Sequence, residues 1–346
     1  MTFNWDKLNI KCGNVPCGKL NKITDVEGVT VGHSTINKGT SKTGVTVIMP
    51  SEANIFKKKL PAAVHVINGY GKTSGLMQIE ELGILESPIA LTNTLNVGKV
   101  QDALIGYMLE RSSKEGFEIK SINTVVGECN DCHINDISKR ACGEKNLICA
   151  ANGAVRDFEE GAVGAGRGTI CHGLKGGIGS SSRVIEAGDK TFTLGVLVQS
   201  NYGKTADLRI NGKNVGEKIQ KRIDEDKNPE VGSIMIIMAT DAPLSSRQIK
   251  RVLKRAGNGL ARVGAVTGNG SGEVVIGFST ANPIDNDDND VIFKGNFLNE
   301  NYMDLFFRAI AEATEEAVLH SLFASDSDVR LNGQKVYSIN EFKELL

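Results

Sequence analysis

A chain of 346 residues with a net charge of −1 and 40% hydrophobic residues is an ordinary globular polypeptide, with no basic surplus to draw nucleic acid or an acidic membrane. No apolar run reaches the ~18 residues of a membrane span, and the opening MTFNWDKLNIKCGNVPCGKL has no apolar export core. The seven cysteines, an odd number, therefore read as free thiols in a reducing cytoplasm, and the 39 glycines predict many tight turns.

In chain order, β-branched apolar runs predict strands at 44–50 (GVTVIMP) and 63–67 (AVHVI). A helix follows over roughly 98–112, then strands at 122–126 (INTVV) and 191–198 (TFTLGVLV). In the latter, Phe192, Leu194, Val196 and Val198 alternate with Thr193, Gly195 and Leu197, which suits a sheet with one face more buried than the other. A strand at 233–238 (SIMIIM) precedes the clearest helix. Ser245 and Gln248 form an S-x-x-Q capping box, and Ile249, Val252, Leu253, Ala256 and Leu260 make one apolar stripe. A strand at 274–279 (VVIGFS) follows, and a last helix covers about 300–324 with Leu305, Phe306, Ala309, Ile310, Ala313 and Ala317 inward. Strands and helices do not alternate as βαβ units, so a layered sandwich with helices outside two packed sheets is expected rather than a doubly wound parallel sheet.

Several motifs fail by one residue. NGYGKT (68–73) would need glycine at 66 for a phosphate-binding loop and has Val66. GAVGAGRGT (161–169) places Thr169 where a dinucleotide fingerprint needs its third glycine. DNDDND (285–290) lacks the glycine and terminal glutamate of a calcium loop. Cys129 and Cys132 form a C-x-x-C before His133, but Cys142 and Cys149 are too widely spaced for a zinc ribbon. No H-E-x-x-H or G-x-S-x-G occurs, so neither metal nor cofactor is expected, and a Ser-His-Asp hydrolase has no support.

The chemistry concentrates at Gly232-Ser233, directly ahead of the apolar run Ile234 to Met238. A serine hydroxyl needs a base. If the chain breaks before Ser233, its new α-amine, with a pKa of about 7.7–8.0, can take the hydroxyl proton. Glycine at the preceding position permits unusual backbone geometry and leaves the scissile carbonyl unshielded.

The wider chain resembles the family of self-processing aminopeptidases that includes L-aminopeptidase/D-amidase-esterase and the β-peptidyl aminopeptidases. The resemblance covers nearly the whole sequence. It is carried by NKITDVEGVTVGH (21–33), KTGVTVIMP (42–50), AAVHVINGYGKTSGLMQIEELGILESPIALTNTLNVGKVQDAL (62–104), GAVGAGRGTICHGLKGGIGSSSRV (161–184), GVLVQSNYG (195–203), GSIMIIMATDAPLSSRQIKR (232–251) and GSGEVVIGFSTAN (270–282).

The resemblance implies a single domain, a four-layer αββα sandwich like that of N-terminal-nucleophile hydrolases with different connectivity, self-cleaved into chains 1–232 and 233–346. It implies Ser233 as the nucleophile, Asn201 as oxyanion donor, and Ser271 with Glu273 orienting the new amine. It also implies no metal, a tetramer of processed pairs, and release of small N-terminal residues from short peptides, amides or esters. Asn201 follows a buried strand, and Ser271 and Glu273 at i and i+2 share a sheet face, so the residues themselves suit these roles. A turn asparagine and a solvated strand end are the plainer readings. His33 and His172 stand in matching segments as structural residues.

One segment departs from the family. ECNDCHINDI (128–137) matches a stretch that commonly reads Asn-Asp-Gly-Tyr-Leu-Asn-Asp, whose tyrosine lies at the active site; here Cys132-His133 replaces Gly-Tyr. His133 can donate a hydrogen bond but titrates near neutrality, unlike tyrosine, so an added pH dependence is expected. A surface histidine is the plainer reading, and Asn130 is the other matching position. Two alternatives stand beside the aminopeptidase. One is an acyltransferase resembling ornithine acetyltransferase, a group that uses threonine as nucleophile. The other is an inactive homologue that binds an amine or peptide.

Overall fold

The computed structural model describes residues 10–223, 232–287 and 290–346. The main elements are β1 (Thr30–Lys38), β2 (Ser41–Met49), β3 (Lys58–Gly69), β4 (Ile89–Asn93), α1 (Val97–Lys114), β5 (Val125–Cys129), α2 (Glu144–Asn152), β6 (Ile178–Ala187), β7 (Lys190–Asn201), β8 (Ser233–Thr240), α3 (Ser246–Leu253), α4 (Ala256–Val263), β9 (Gly272–Ser279) and α5 (Met303–Phe323).

Among the described residues they form two sheets. The first has four strands in the order β1-β2-β4-β5. The second has seven: Ile284–Asp285, β3, β9, β8, β7 and β6 in order, with Ile84–Leu85 also paired to β3. Val47 and Leu91 of the first sheet share a core with Leu197, Met235, Ile237, Val274 and Ile276 of the second. Helices α1 and α2 cover the outside of the first sheet, and α3, α4 and α5 the outside of the second. These are the four layers of the expected αββα sandwich.

Burial on both faces explains why β8 is apolar throughout. Met235, Ile237 and Ala239 face the other sheet, while Ile234, Ile236 and Met238 face the helices. The same holds for β7, where Leu197 joins the inter-sheet core and Val196 and Val198 the helix-side core. The expectation of one less buried face is corrected here, because a central strand of an inner layer has no solvent side.

The predicted capping box is present: Ser245 Oγ accepts from the Gln248 N–H at 3.3 Å, and Gln248 Oε1 accepts from the Ser245 N–H at 3.0 Å. The helix it starts ends at Leu253, and a second begins at Ala256. The stripe carries across both, with Ile249, Val252, Leu253, Ala256 and Leu260 buried. In α5 the inward set is confirmed except Leu305, which is 38% exposed; it precedes Phe306 on the outer edge of the stripe.

Strands β1, β4 and β6 and helix α2 have no counterpart in the predicted elements. Strand β6 buries Ser180, Ser181, Ser182 and Arg183, polar residues that an apolar-run criterion passes over. Their polarity is absorbed locally, as when Ser180 Oγ donates to the Val196 carbonyl at 2.7 Å. Within DNDDND, residues 288 and 289 lie outside the described residues, and Asp287 and Asp290 are exposed. No helix among the described residues is long and apolar enough to cross a membrane.

Candidate active site

Strand β8 opens on Ser233 at the inter-sheet face, since Met235 and Ile237 at the same parity lie in that core. Its side chain points at the end of β5 in the other sheet, where the Asn130 N–H donates to Ser233 Oγ at 3.4 Å. The Cys129 thiol also lies against Ser233 and donates to the Gln199 carbonyl at 3.3 Å. Burial pushes this thiol far above its ordinary range, so it supplies no base to Ser233.

Asn201 ends β7 directly across the ladder from Ser233. Its Oδ1 accepts from the Ile170 N–H at 3.0 Å. That bond fixes the amide's orientation and leaves Nδ2 as the end that can donate. Gly232 fits against the same strand end: a Cβ there would lie 2.6 Å from Tyr202 Cα and closer still to the Asn201 carbonyl oxygen. The Gly232 carbonyl accepts from the Gly272 N–H at 3.1 Å, so it is already polarised by a backbone donor.

Gly272 pairs with Ser233 across the parallel β8/β9 ladder, with Ser271 and Glu273 on either side. Both side chains are fully buried, and Ser271 Oγ donates to Glu273 Oε1 at 3.0 Å. They therefore share one face, as their i, i+2 spacing implies. That face is opposite to the one carrying the Ser233 hydroxyl, because Ser233 and Gly272 are register partners while Glu273 pairs with Ile234. Ser271 and Glu273 thus flank the backbone of Ser233 rather than its hydroxyl. Desolvation raises the Glu273 pKa, opposed by hydrogen bonds from Thr267 and Ser271, and its Oε2 has no hydrogen-bond partner. A buried carboxylate with one unengaged oxygen is a receptor for a cation. The register shifts at Glu273 on the side facing β3, an irregularity that often re-aims a side chain beside a site.

A buried carboxylate that the sequence reading passed over is Glu128 in β5. Its Oε1 accepts from the Lys72 N–H at 2.8 Å, and its Oε2 accepts from the Thr94 hydroxyl. The Lys72 turn belongs to NGYGKT, and Gly71 in it packs so tightly on Gly272 that a Cβ on Gly272 would lie 2.7 Å from Gly71 Cα. That near-miss of a phosphate loop therefore connects Glu128 to the strand beside Ser233. The only sequence signal was an acid at the end of an apolar strand.

His133 lies in the loop after β5, three residues past Asn130, and is exposed; its carbonyl accepts from the Leu331 N–H at 2.9 Å. Of the two matching positions, Asn130 is the one that touches Ser233. His33 and His172 are held by hydrogen bonds, to Thr46 Oγ1 and the Glu159 carbonyl, and to the Lys204 carbonyl; desolvation lowers both pKa values to about 4. They are neutral structural residues at physiological pH. All seven cysteines are free, with Cys17, Cys132 and Cys149 exposed. No group of three His, Cys, Asp or Glu side chains among the described residues is arranged to hold a metal.

Comparison with known proteins places this arrangement. The model of peptidase family S58 matches residues 21–336. The chain belongs to that family. Membership makes it a peptide-bond hydrolase and does not favour the transferase or binding-only readings. A β-peptidyl aminopeptidase, BapA, of Sphingosinicella xenopeptidilytica is 37% identical over 93% of this chain and 85% of its own. A solved protein of Pyrococcus horikoshii OT3 superposes with a TM-score of 0.93 at 43% identity, covering 99% of this chain and 98% of its own. The L-aminopeptidase D-Ala-esterase/amidase of Ochrobactrum anthropi superposes with a TM-score of 0.89 at 32% identity, covering 98% and 96%. That structure is described as a variant of the Ntn hydrolase fold, and this S58 member shares its architecture.

Proposed function

We propose that this protein is a self-processing aminopeptidase and amidase that releases small N-terminal residues from short peptides, amides or esters. The observation that carries the reading is the placement of Ser233. It heads a buried strand, faces Asn201 across the ladder, and follows a glycine whose carbonyl already accepts a backbone hydrogen bond.

In maturation, Ser233 Oγ attacks the Gly232 carbonyl carbon. The Gly272 N–H supports the oxyanion, the C–N bond breaks, and the hydroxyl proton passes to the departing amine. Water then hydrolyses the resulting ester, leaving a carboxylate at Gly232 and a free α-amine and hydroxyl on Ser233. The products are chains 1–232 and 233–346 of one domain. In turnover, the α-amine takes the hydroxyl proton as Oγ attacks the substrate carbonyl, and Asn201 Nδ2 donates to the oxyanion. The same proton goes to the leaving amine, and water resolves the acyl-enzyme. Ser271 and Glu273 hold the α-amine, and Glu128 is the counter-ion for the substrate's own ammonium group.

An exposed apolar run, Val291, Ile292 and Phe293 with Phe297, supports assembly into a homo-oligomer, a tetramer of processed pairs. Seven free thiols suit a cytoplasmic setting. The test is intact-mass analysis of purified protein together with product release from β-alanyl and α-aminoacyl amides. Two chains meeting at Gly232/Ser233 and release of free amino acid are expected. An active protein uncut at that bond would overturn the free-amine mechanism.

A further inference from the structure

The described site leaves one buried charge unused. Lys175 is fully buried, yet no carboxylate among the described residues comes within ion-pairing distance of its Nζ. Instead Nζ donates to three backbone carbonyls, of Gly166 at 3.2 Å, Thr169 at 3.0 Å and Gly176 at 2.6 Å. These carbonyls do not depend on it. Gly166 O also accepts from Thr169 Oγ1 at 3.1 Å, Thr169 O from the Gly176 N–H at 3.1 Å, and Gly176 O from Ser325 Oγ at 2.9 Å. An apolar side chain of similar length would thus leave no carbonyl orphaned and would remove the cost of a buried ammonium. Desolvation is strong enough to pull the Lys175 pKa to about 7. Volume and hydrogen-bond satisfaction therefore do not account for a lysine here.

Its position does. Lys175 is the register partner of Ile170 in a two-residue hairpin ladder, and the Ile170 N–H is the group that holds Asn201 Oδ1. The turn gathered around Nζ touches the same strand end again, where Gly177 O accepts from the Ser200 N–H at 3.0 Å. We infer that Lys175 is a positioning residue for the oxyanion donor: its ammonium draws three carbonyls of the 166–176 turn to one point, which fixes the Ile170 N–H and so aims Asn201 Nδ2 at the reacting carbonyl. This rests on the oxyanion role given to Asn201 above.

A double-mutant cycle tests it, with kcat normalised to the processed fraction. Lys175→Met is expected to lower kcat by roughly 10–100-fold with KM changed by less than about threefold, and without loss of thermal stability. In an Asn201→Ala background the same change should cost less than about threefold more, because its effect passes through Asn201. Lys175→Gln, which keeps two donors, should fall between lysine and methionine. If the methionine variant fails to fold, the glutamine variant carries the same cycle. Wild-type kcat in these variants, or an equal loss with and without Asn201, overturns the inference. If Asn201→Ala by itself leaves kcat unchanged, it is the oxyanion role that falls instead.

Discussion

Replacing Asn201 separates the two ends of one amide. Its Oδ1 serves the fold by accepting the Ile170 N–H at 3.0 Å, whereas Nδ2 is assigned to the reaction. Asn201→Ala removes both. The orphaned Ile170 N–H should cost ~1–3 kcal/mol of stability, the usual penalty for a donor left without its partner. Loss of one oxyanion donor should lower kcat by roughly 10²–10³, equivalent to ~2.7–4 kcal/mol of transition-state stabilisation. Asn201→Asp removes only one function. A carboxylate oxygen still accepts from Ile170, so stability should be retained better than in the alanine variant. The donor is gone, however, and a negative charge faces the developing oxyanion, so kcat should fall at least as far. The assay pairs urea midpoints with turnover per processed active site, the processed fraction being read from intact mass. The two variants should therefore rank oppositely: aspartate the more stable, alanine the more active or equal. An aspartate variant more active than alanine, or losses confined to KM in both, would refute the assignment.

Ser233→Ala should remain one chain of 37.1 kDa, while the wild type resolves into two by mass spectrometry. Burial raises the Glu273 pKa above its unfolded value, so the stability of its protonated form is present at low pH and lost as pH rises through the folded pKa. In a Ser233→Ala precursor, Glu273→Gln should therefore be the more stable protein at neutral pH by urea titration, and in processed enzyme it should displace the pH–rate profile; no change in either measurement would remove Glu273 from the site. Asp131, buried beside Asn130, has its pKa raised from 3.8 to about 6 by desolvation. About two pKa units correspond to ~3 kcal/mol, so wild-type stability should fall by up to that amount between about pH 4 and 6, and Asp131→Asn should flatten the change. His133→Ala and His133→Tyr on processed enzyme, followed across about pH 5–9, test the departure from the family tyrosine: an added pH dependence near neutrality should disappear in both. Identical kcat/KM for His133→Ala and wild type throughout would remove His133 from the reaction.

The linear chain was enough for the parts that rest on local chemistry. Continuous apolar runs located β8 and β9, because strands buried on both faces leave no room for polar residues. The Ser245 capping box located α3, because it satisfies helix-end donors within four residues of chain. Gly232-Ser233 stood out because a glycine leaves the scissile carbonyl unshielded, and because a serine is costly at the mouth of a buried strand unless it is used. Strand β6 was passed over because its buried serines and arginine are satisfied by partners that only the folded chain supplies, such as the Val196 carbonyl for the Ser180 hydroxyl, Asp25 for the Ser182 hydroxyl and Glu316 for Arg183.

Tertiary structure alone decided what these residues face. Strand pairing set Asn201 opposite Ser233 and set Ser271 and Glu273 on the other face beside its backbone, and sheet stacking brought Asn130 and Glu128 across from the first sheet. It also wrapped the Lys175 turn around the end of β7. Such relations come from ladder register and sheet stacking, and neither follows from residue type or spacing along the chain. Residue chemistry therefore determined which groups could react, and the packing of the two sheets determined which of them meet.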